Sequence, residues 1–162
     1  LIILPNKTIP ASYLLNPLHL LSLGFGSGLM PFAPGTFGTL VAIPLYLLMS
    51  QLPLAVFLAI TSLFFVIGIY LCGFTSRALG VHDHSGIVWD EIVGYLVTMI
   101  ALPLNVYTVV GGFLCFRFFD IVKPWPIKWA DRHLSGGFGI MFDDLLAGIF
   151  SAGVLHLVYL LL

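Results

Sequence analysis

The sequence predicts an all-α protein that crosses a membrane several times, and three observations carry that reading. The chain is 60% hydrophobic and only 8% charged over 162 residues, against about 45–50% apolar and about 25% charged for soluble domains. Long stretches carry no Asp, Glu, Lys or Arg: none lies between Lys7 and Arg77, between Glu91 and Arg117, or after Asp144. Short breaks containing Pro, Gly or Asn divide these stretches into pieces of helical length. So little polar surface excludes a water-soluble enzyme, a disordered chain and a basic nucleic-acid binder. The net charge of −1 offers no capture of a polyanion. One domain over residues 1–162 has room for roughly four to six spans of ~20 residues each.

The elements follow in chain order. Leu1 to Leu4 is too short for the apolar core of a signal peptide, so no cleavable signal is expected. A Gly/Pro-rich loop, Gly24–Gly38, comes next. Its backbone amides could form a nest for phosphate oxygens, with Ser27 and Thr36 as side-chain donors. A tight re-entrant turn explains the same composition. The spacing is neither a P-loop nor a dinucleotide fingerprint. Span one is expected at about Thr39–Met49, with a turn at Gln51–Pro53. Span two follows at about Leu54–Phe74, ending near Arg77. Span three is expected from Trp89 to Leu102, with Pro103 and Asn105 making the turn. Span four runs from about Tyr107 to Val122, and span five from about Leu145 to Leu162. Between the last two, Ile127–Leu134 reads as an interfacial amphipathic stretch, with Trp125 and Trp129 as belt residues. Cys72 and Cys115 lie in apolar runs and read as small buried hydrophobes. His19 and His156 read as packing residues.

The charges cluster. Acids fall at Asp83, Asp90 and Glu91, at Asp120 and Asp131, and at Asp143–Asp144, while Arg77, Arg117, Lys123, Lys128 and Arg132 interleave with them. On the span map the turns near residues 51–53 and 102–106 are uncharged, so the charges gather on one side. The positive-inside rule makes that side cytoplasmic. Three distant segments therefore deliver carboxylates to one membrane face.

Each cluster has a chemical reading. Asp90 and Glu91 open span three, where adjacent residues ~100° apart can share one metal only near a helix end. His82 and His84 flank Asp83 and could be ligands, proton carriers or loop residues. Arg117, Asp120 and Lys123, spaced i, i+3, i+6, share a rough helix face. Charges at a span's edge are costly and point to function. Asp143–Asp144, after a Gly-rich run, are expected to open span five and suit Mg²⁺, a hard cation that prefers oxygen ligands. Together they suggest metal-assisted phosphoryl chemistry, the metal polarising the phosphoryl group and Lys and Arg stabilising its oxygens. The alternative is a small cation- or proton-coupled transporter, since buried carboxylates suit that as well. It predicts an internal repeat, and the chain has none that we detect.

Several motifs, in order, resemble the phosphatidylglycerophosphatase A family: Gly24-Phe-Gly-Ser-Gly-Leu with Pro34-Gly35-Thr36, Val81-His-Asp-His, Ile87-Val-Trp-Asp-Glu91, Phe116-Arg-Phe-Phe-Asp120 with Lys123-Pro-Trp-Pro-Ile127, and Asp143-Asp144 with Ala147-Gly148. The resemblance implies Mg²⁺-dependent hydrolysis of phosphatidylglycerophosphate to phosphatidylglycerol and inorganic phosphate. It also implies a bacterial inner membrane. Asp90, Glu91, Asp120, Asp143 and Asp144 are then the expected metal and water-activating set, with Asp83 in a second tier. Arg117 and Lys123 are expected to bind phosphate. The patterns of His-dependent acid phosphatases and of Asp-x-Asp phosphatases are both missing from the sequence.

Overall fold

The computed structural model describes residues 8–162, and the regular elements among these are all helical. The readings on Leu1–Leu4 and Lys7 lie outside the described residues. A 3-10 turn at Ala11–Leu15 leads into α1 (Pro17–Ser22), whose N-cap Asn16 accepts from the Leu18 amide at 2.9 Å. A second 3-10 turn, Gly24–Leu29, precedes α2 (Pro34–Met49). α3 (Leu54–Leu79) starts after Pro53 and stops at Gly80, whose φ of 69° suits a residue without Cβ. α4 is Trp89–Thr98 and α5 is Val106–Val122, with Asn105 capping α5 through a 2.9 Å bond from the Thr108 amide. α6 (Ile127–His133) and α7 (Gly136–Leu161) complete the chain.

α4 is the axle of the bundle. Of its ten residues only Glu91 is not fully buried, and it packs against α2, α3, α5 and α7. Tyr95, Leu96 and Ile92 from this helix meet Phe116, Ile140 and Met141 from α5 and α7 in the core. Two of its polar side chains are tied down: Trp89 Nε1 donates to the Phe64 carbonyl and Tyr95 OH to the Val109 carbonyl, each at 3.0 Å. His19 is buried, 2.9 Å from Thr75 Oγ1, and His156 lies 2.9 Å from the Ile100 carbonyl oxygen. Cys72 is buried and Cys115 partly so, both as expected for small hydrophobes.

Close helix approach depends on missing Cβ atoms. On Gly148 a Cβ would stand 2.6 Å from the Gly94 carbonyl oxygen, locking α7 against α4. On Gly137 it would run into the Ile69 carbonyl and stand 2.9 Å from the Gly73 amide nitrogen. Backbone cannot yield there as a flexible side chain can. Gly137→Ala is therefore expected to lower stability by about 1–3 kcal/mol through overpacking, read as a lower thermal midpoint in detergent. Gly153, whose surroundings are open, should accept Ala with little change.

The helices revise the expected boundaries. α2 starts at Pro34, so Gly35 to Gly38 belong to a helix and the Gly/Pro-rich loop ends earlier. α3 runs past Phe74 to Leu79. α4 stops at Thr98, because the chain turns at Met99–Ala101, where Ala101 has φ 57°. At 1.5 Å per residue α4 is only about 15 Å long and cannot span a bilayer. α7 starts at Gly136, nine residues before the expected Leu145, since its glycines let it pack directly on the α3 backbone. Asp143 and Asp144 therefore sit two turns inside a helix and cap nothing. Two helices, α3 and α7, are long and apolar enough to cross a membrane, and α2 is a shorter apolar helix. Their outward faces expose Leu63, Val66, Leu157 and Leu160 among others.

Candidate active site

Six of the chain's seven acids line one cleft of about 340 Å³. α4 supplies Asp90 and Glu91 from its first turn. α5 supplies Arg117 and Asp120 from its last turns, α7 supplies Asp143 and Asp144, and the α3–α4 loop brings Asp83, Ser85 and Ile87. Lys123 enters from just beyond α5, and the first turn of α2 closes the wall with Ala33, Pro34 and Gly35. Helix start, helix end and helix middle thus meet at one point.

Two ion-pair systems organise the charges. Arg117 Nη1 donates to Asp120 Oδ2 and lies 3.9 Å from Glu91 Oε1. Lys123 Nζ donates to Asp143 Oδ2 at 2.6 Å and to Asp131 Oδ1 at 3.0 Å, joining α6 to α7. Burial works against the Lys123 charge, but Asp143 beside it outweighs that and holds the ammonium above its ordinary pKa. Asp83, in the loop, is pushed up from the usual carboxylate range chiefly by burial.

Three carboxylates form a tighter group beside these pairs, Glu91 belonging to both. Asp90, Glu91 and Asp144 each bring an oxygen within 4.8 Å of the others. Asp90 Oδ1, Glu91 Oε2 and Asp144 Oδ2 are buried without a hydrogen-bond partner. Buried polar atoms are almost always satisfied, so three such oxygens in one place form a donor set suited to a cation. An all-oxygen, anionic donor set is what a hard divalent cation takes. The residues present fit such an ion.

The other expected residues fall as follows. Ser27 Oγ donates to the Gly24 carbonyl at 2.8 Å. Neither Ser27 nor Thr36 is among the cleft's lining residues, and the N-terminal segment contributes Ala33, Pro34 and Gly35 instead. His82 Nε2 accepts from the Gly136 amide at 3.0 Å, tethering the Asp83 loop to the start of α7. His84 Nδ1 accepts from the Gly86 amide at 3.0 Å. Sequence reasoning missed the contribution of Gly35 as a site residue. A Cβ there would stand 2.5 Å from Glu91 Oε1 and 3.0 Å from Arg117 Nη1, so this glycine is what lets α2 reach the ion pair. Its place beside Pro34 in a Gly/Pro-rich segment was the available signal. Ser85 also went unremarked.

A family model described as Phosphatidylglycerophosphatase A matches residues 20–159. A Phosphatidylglycerophosphatase A of Escherichia coli is 51% identical over 144 residues, covering 88% of this chain and 84% of that protein. One of Haemophilus influenzae is 49% identical over 148 residues, covering 90% and 91%. A Bacteroides thetaiotaomicron protein, provisionally named a phosphatidylinositol-3-phosphatase, is 41% identical over 143 residues, covering 82% and 87%. No solved structure matches the chain. The helical bundle, its cleft of carboxylates and cations, and these relatives define an all-helical phosphatase. More narrowly, the chain belongs to the phosphatidylglycerophosphatase A family.

Proposed function

We propose that this protein hydrolyses the terminal phosphate monoester of phosphatidylglycerophosphate, releasing phosphatidylglycerol and inorganic phosphate, with Mg²⁺ as cofactor. The observation that carries the cofactor is the trio of orphaned buried oxygens on Asp90, Glu91 and Asp144, in the same cleft as two cations. The substrate follows from the relatives that share most of the chain. That a further relative is named for a different phosphorylated lipid fits a site built around the phosphomonoester.

Asp90, Glu91 and Asp144 would hold the ion, with Asp120, Asp143 and Asp83 completing the acidic wall. When bound, Mg²⁺ supplies charge that polarises the phosphoryl group and acidifies water. The chain's own groups do the rest. Arg117, braced by Asp120, and Lys123, braced by Asp143 and Asp131, place positive charge where the phosphoryl oxygens gain negative charge. A carboxylate oxygen of the acidic set takes a proton from the attacking water. The water oxygen bonds to phosphorus, the P–O ester bond breaks, and the glycerol oxygen leaves with the proton that the carboxyl group had taken up.

The setting we infer is the bacterial inner membrane, with α2, α3, α5 and α7 as spans, α4 entering part way, and the cleft at the cytoplasmic face. The apolar outer faces of these helices and the collection of charges at one end support it. The test is phosphate release from phosphatidylglycerophosphate by the purified protein in detergent. Release with Mg²⁺, lost in EDTA and restored by added Mg²⁺, is expected. Undiminished release in EDTA would overturn the cofactor, and no release from folded protein would overturn the enzyme reading.

A further inference from the structure

Beside the charged cleft lies a second, of about 270 Å³, and the two share Pro34 and Ser85 as walls. The second cleft is lined further by Thr8, Leu29, Met30 and His84, and none of its described lining residues is Asp, Glu, Lys or Arg. It is held in shape by backbone packing: a Cβ on Gly28 would strike the Gly86 carbonyl oxygen, and one on Gly86 would stand 2.8 Å from the Gly28 carbonyl oxygen. Around it the same segment exposes large apolar side chains, with Phe25 58% and Phe32 65% accessible. A charged cleft and a neutral cleft thus share a wall, with exposed apolar side chains on the same segment.

We propose that the second cleft receives the glycerol arm that separates the two phosphates of the lipid, a reading that rests on the function proposed above. The terminal phosphate needs the cations and carboxylates of the first cleft. The next atoms along the substrate are three carbons and a hydroxyl, uncharged and polar. They fit a chamber without fixed charge, whose walls mix hydroxyl, imidazole and apolar groups. Beyond them come the second phosphate, at the level of the lipid headgroups, and then the acyl chains, and Phe25, Met30 and Phe32 are exposed beside the cleft. Aromatic and apolar side chains of this kind seat at the membrane interface. The neutral cleft thus seats the spacer between the scissile phosphate and the rest of the lipid.

Filling the cleft tests this. In mixed micelles of detergent and phosphatidylglycerophosphate, Leu29→Trp and Thr8→Trp are expected to raise KM about tenfold or more with kcat within about twofold. Thr8 is an exposed lining residue, so its replacement keeps the test alive where Leu29→Trp fails to fold. Unchanged KM in the folded Trp variants, or a loss confined to kcat, overturns the proposal. A wild-type protein that releases no phosphate overturns the function reading itself, and is told apart by being seen before any variant is made.

Discussion

Asp144→Asn is expected to cut phosphate release by at least about 100-fold, and Asp90→Asn by a similar factor, in line with losses on removing one preorganised electrostatic group. Both residues are buried and each leaves an oxygen without a partner. Asn keeps the shape of Asp and removes the charge, so the loss reports charge and not packing. Stability supplies a second readout. Carboxylate oxygens within 4.8 Å of one another repel, by on the order of 3 kcal/mol per ionised pair at an effective dielectric of ~20. In EDTA, therefore, neither substitution should lower the thermal midpoint. Adding Mg²⁺ should raise the wild-type midpoint, since a ligand at 100 times its Kd stabilises by about 2.7 kcal/mol, and should leave the variants unmoved. Activity within about threefold of wild type in both, with the Mg²⁺ shift retained, would falsify the metal assignment.

Arg117→Ala is the second large effect. It removes the guanidinium that pairs with Asp120 and faces Glu91, both mostly buried. Breaking such a pair from one side leaves an uncompensated carboxylate and costs on the order of 3 kcal/mol. The rate should fall by about 100-fold or more as well, because the proposed phosphate contact goes with it. Arg117→Lys keeps the charge and loses the planar fork, so it should fall between the two. The double variant Arg117→Ala/Asp120→Asn separates the contributions. It removes the stranded charge, so the thermal midpoint should recover while activity does not. Recovery of activity in the double variant would show that Arg117 acts only by holding Asp120, and would overturn its role toward phosphate.

Much of this molecule is written in one dimension. Pro53 and Asn105 each mark the turn before a helix start, because proline and capping side chains act locally. The α5 boundaries were legible to within a residue for the same reason. α7 was not. Its Gly136-Gly-Phe-Gly139 run reads as a loop by propensity, and only contact with the α3 backbone turns it into helix. The site shows the same division. Asp83, Asp90, Glu91, Arg117, Asp120, Lys123, Asp143 and Asp144 were identifiable because charge is expensive in an apolar chain, and all eight line one cleft. Gly35 was not identified as part of the wall. A glycine carries no chemical signal of its own, and its value lies in the atom it leaves out opposite Glu91 and Arg117.

By itself the sequence determined that the protein is helical, apolar on its outside and acidic in a few places, since composition and charge spacing follow directly from what lipid excludes. The motif order determined the family. Only the tertiary structure decided how the charges divide. Asp120 and Asp143 are neutralised by Arg117 and Lys123, while Asp90, Glu91 and Asp144 are left with bare oxygens. That division depends on the depth of α7 against α4, which is fixed by Gly148 and Gly94 in contact and not by any residue that carries charge.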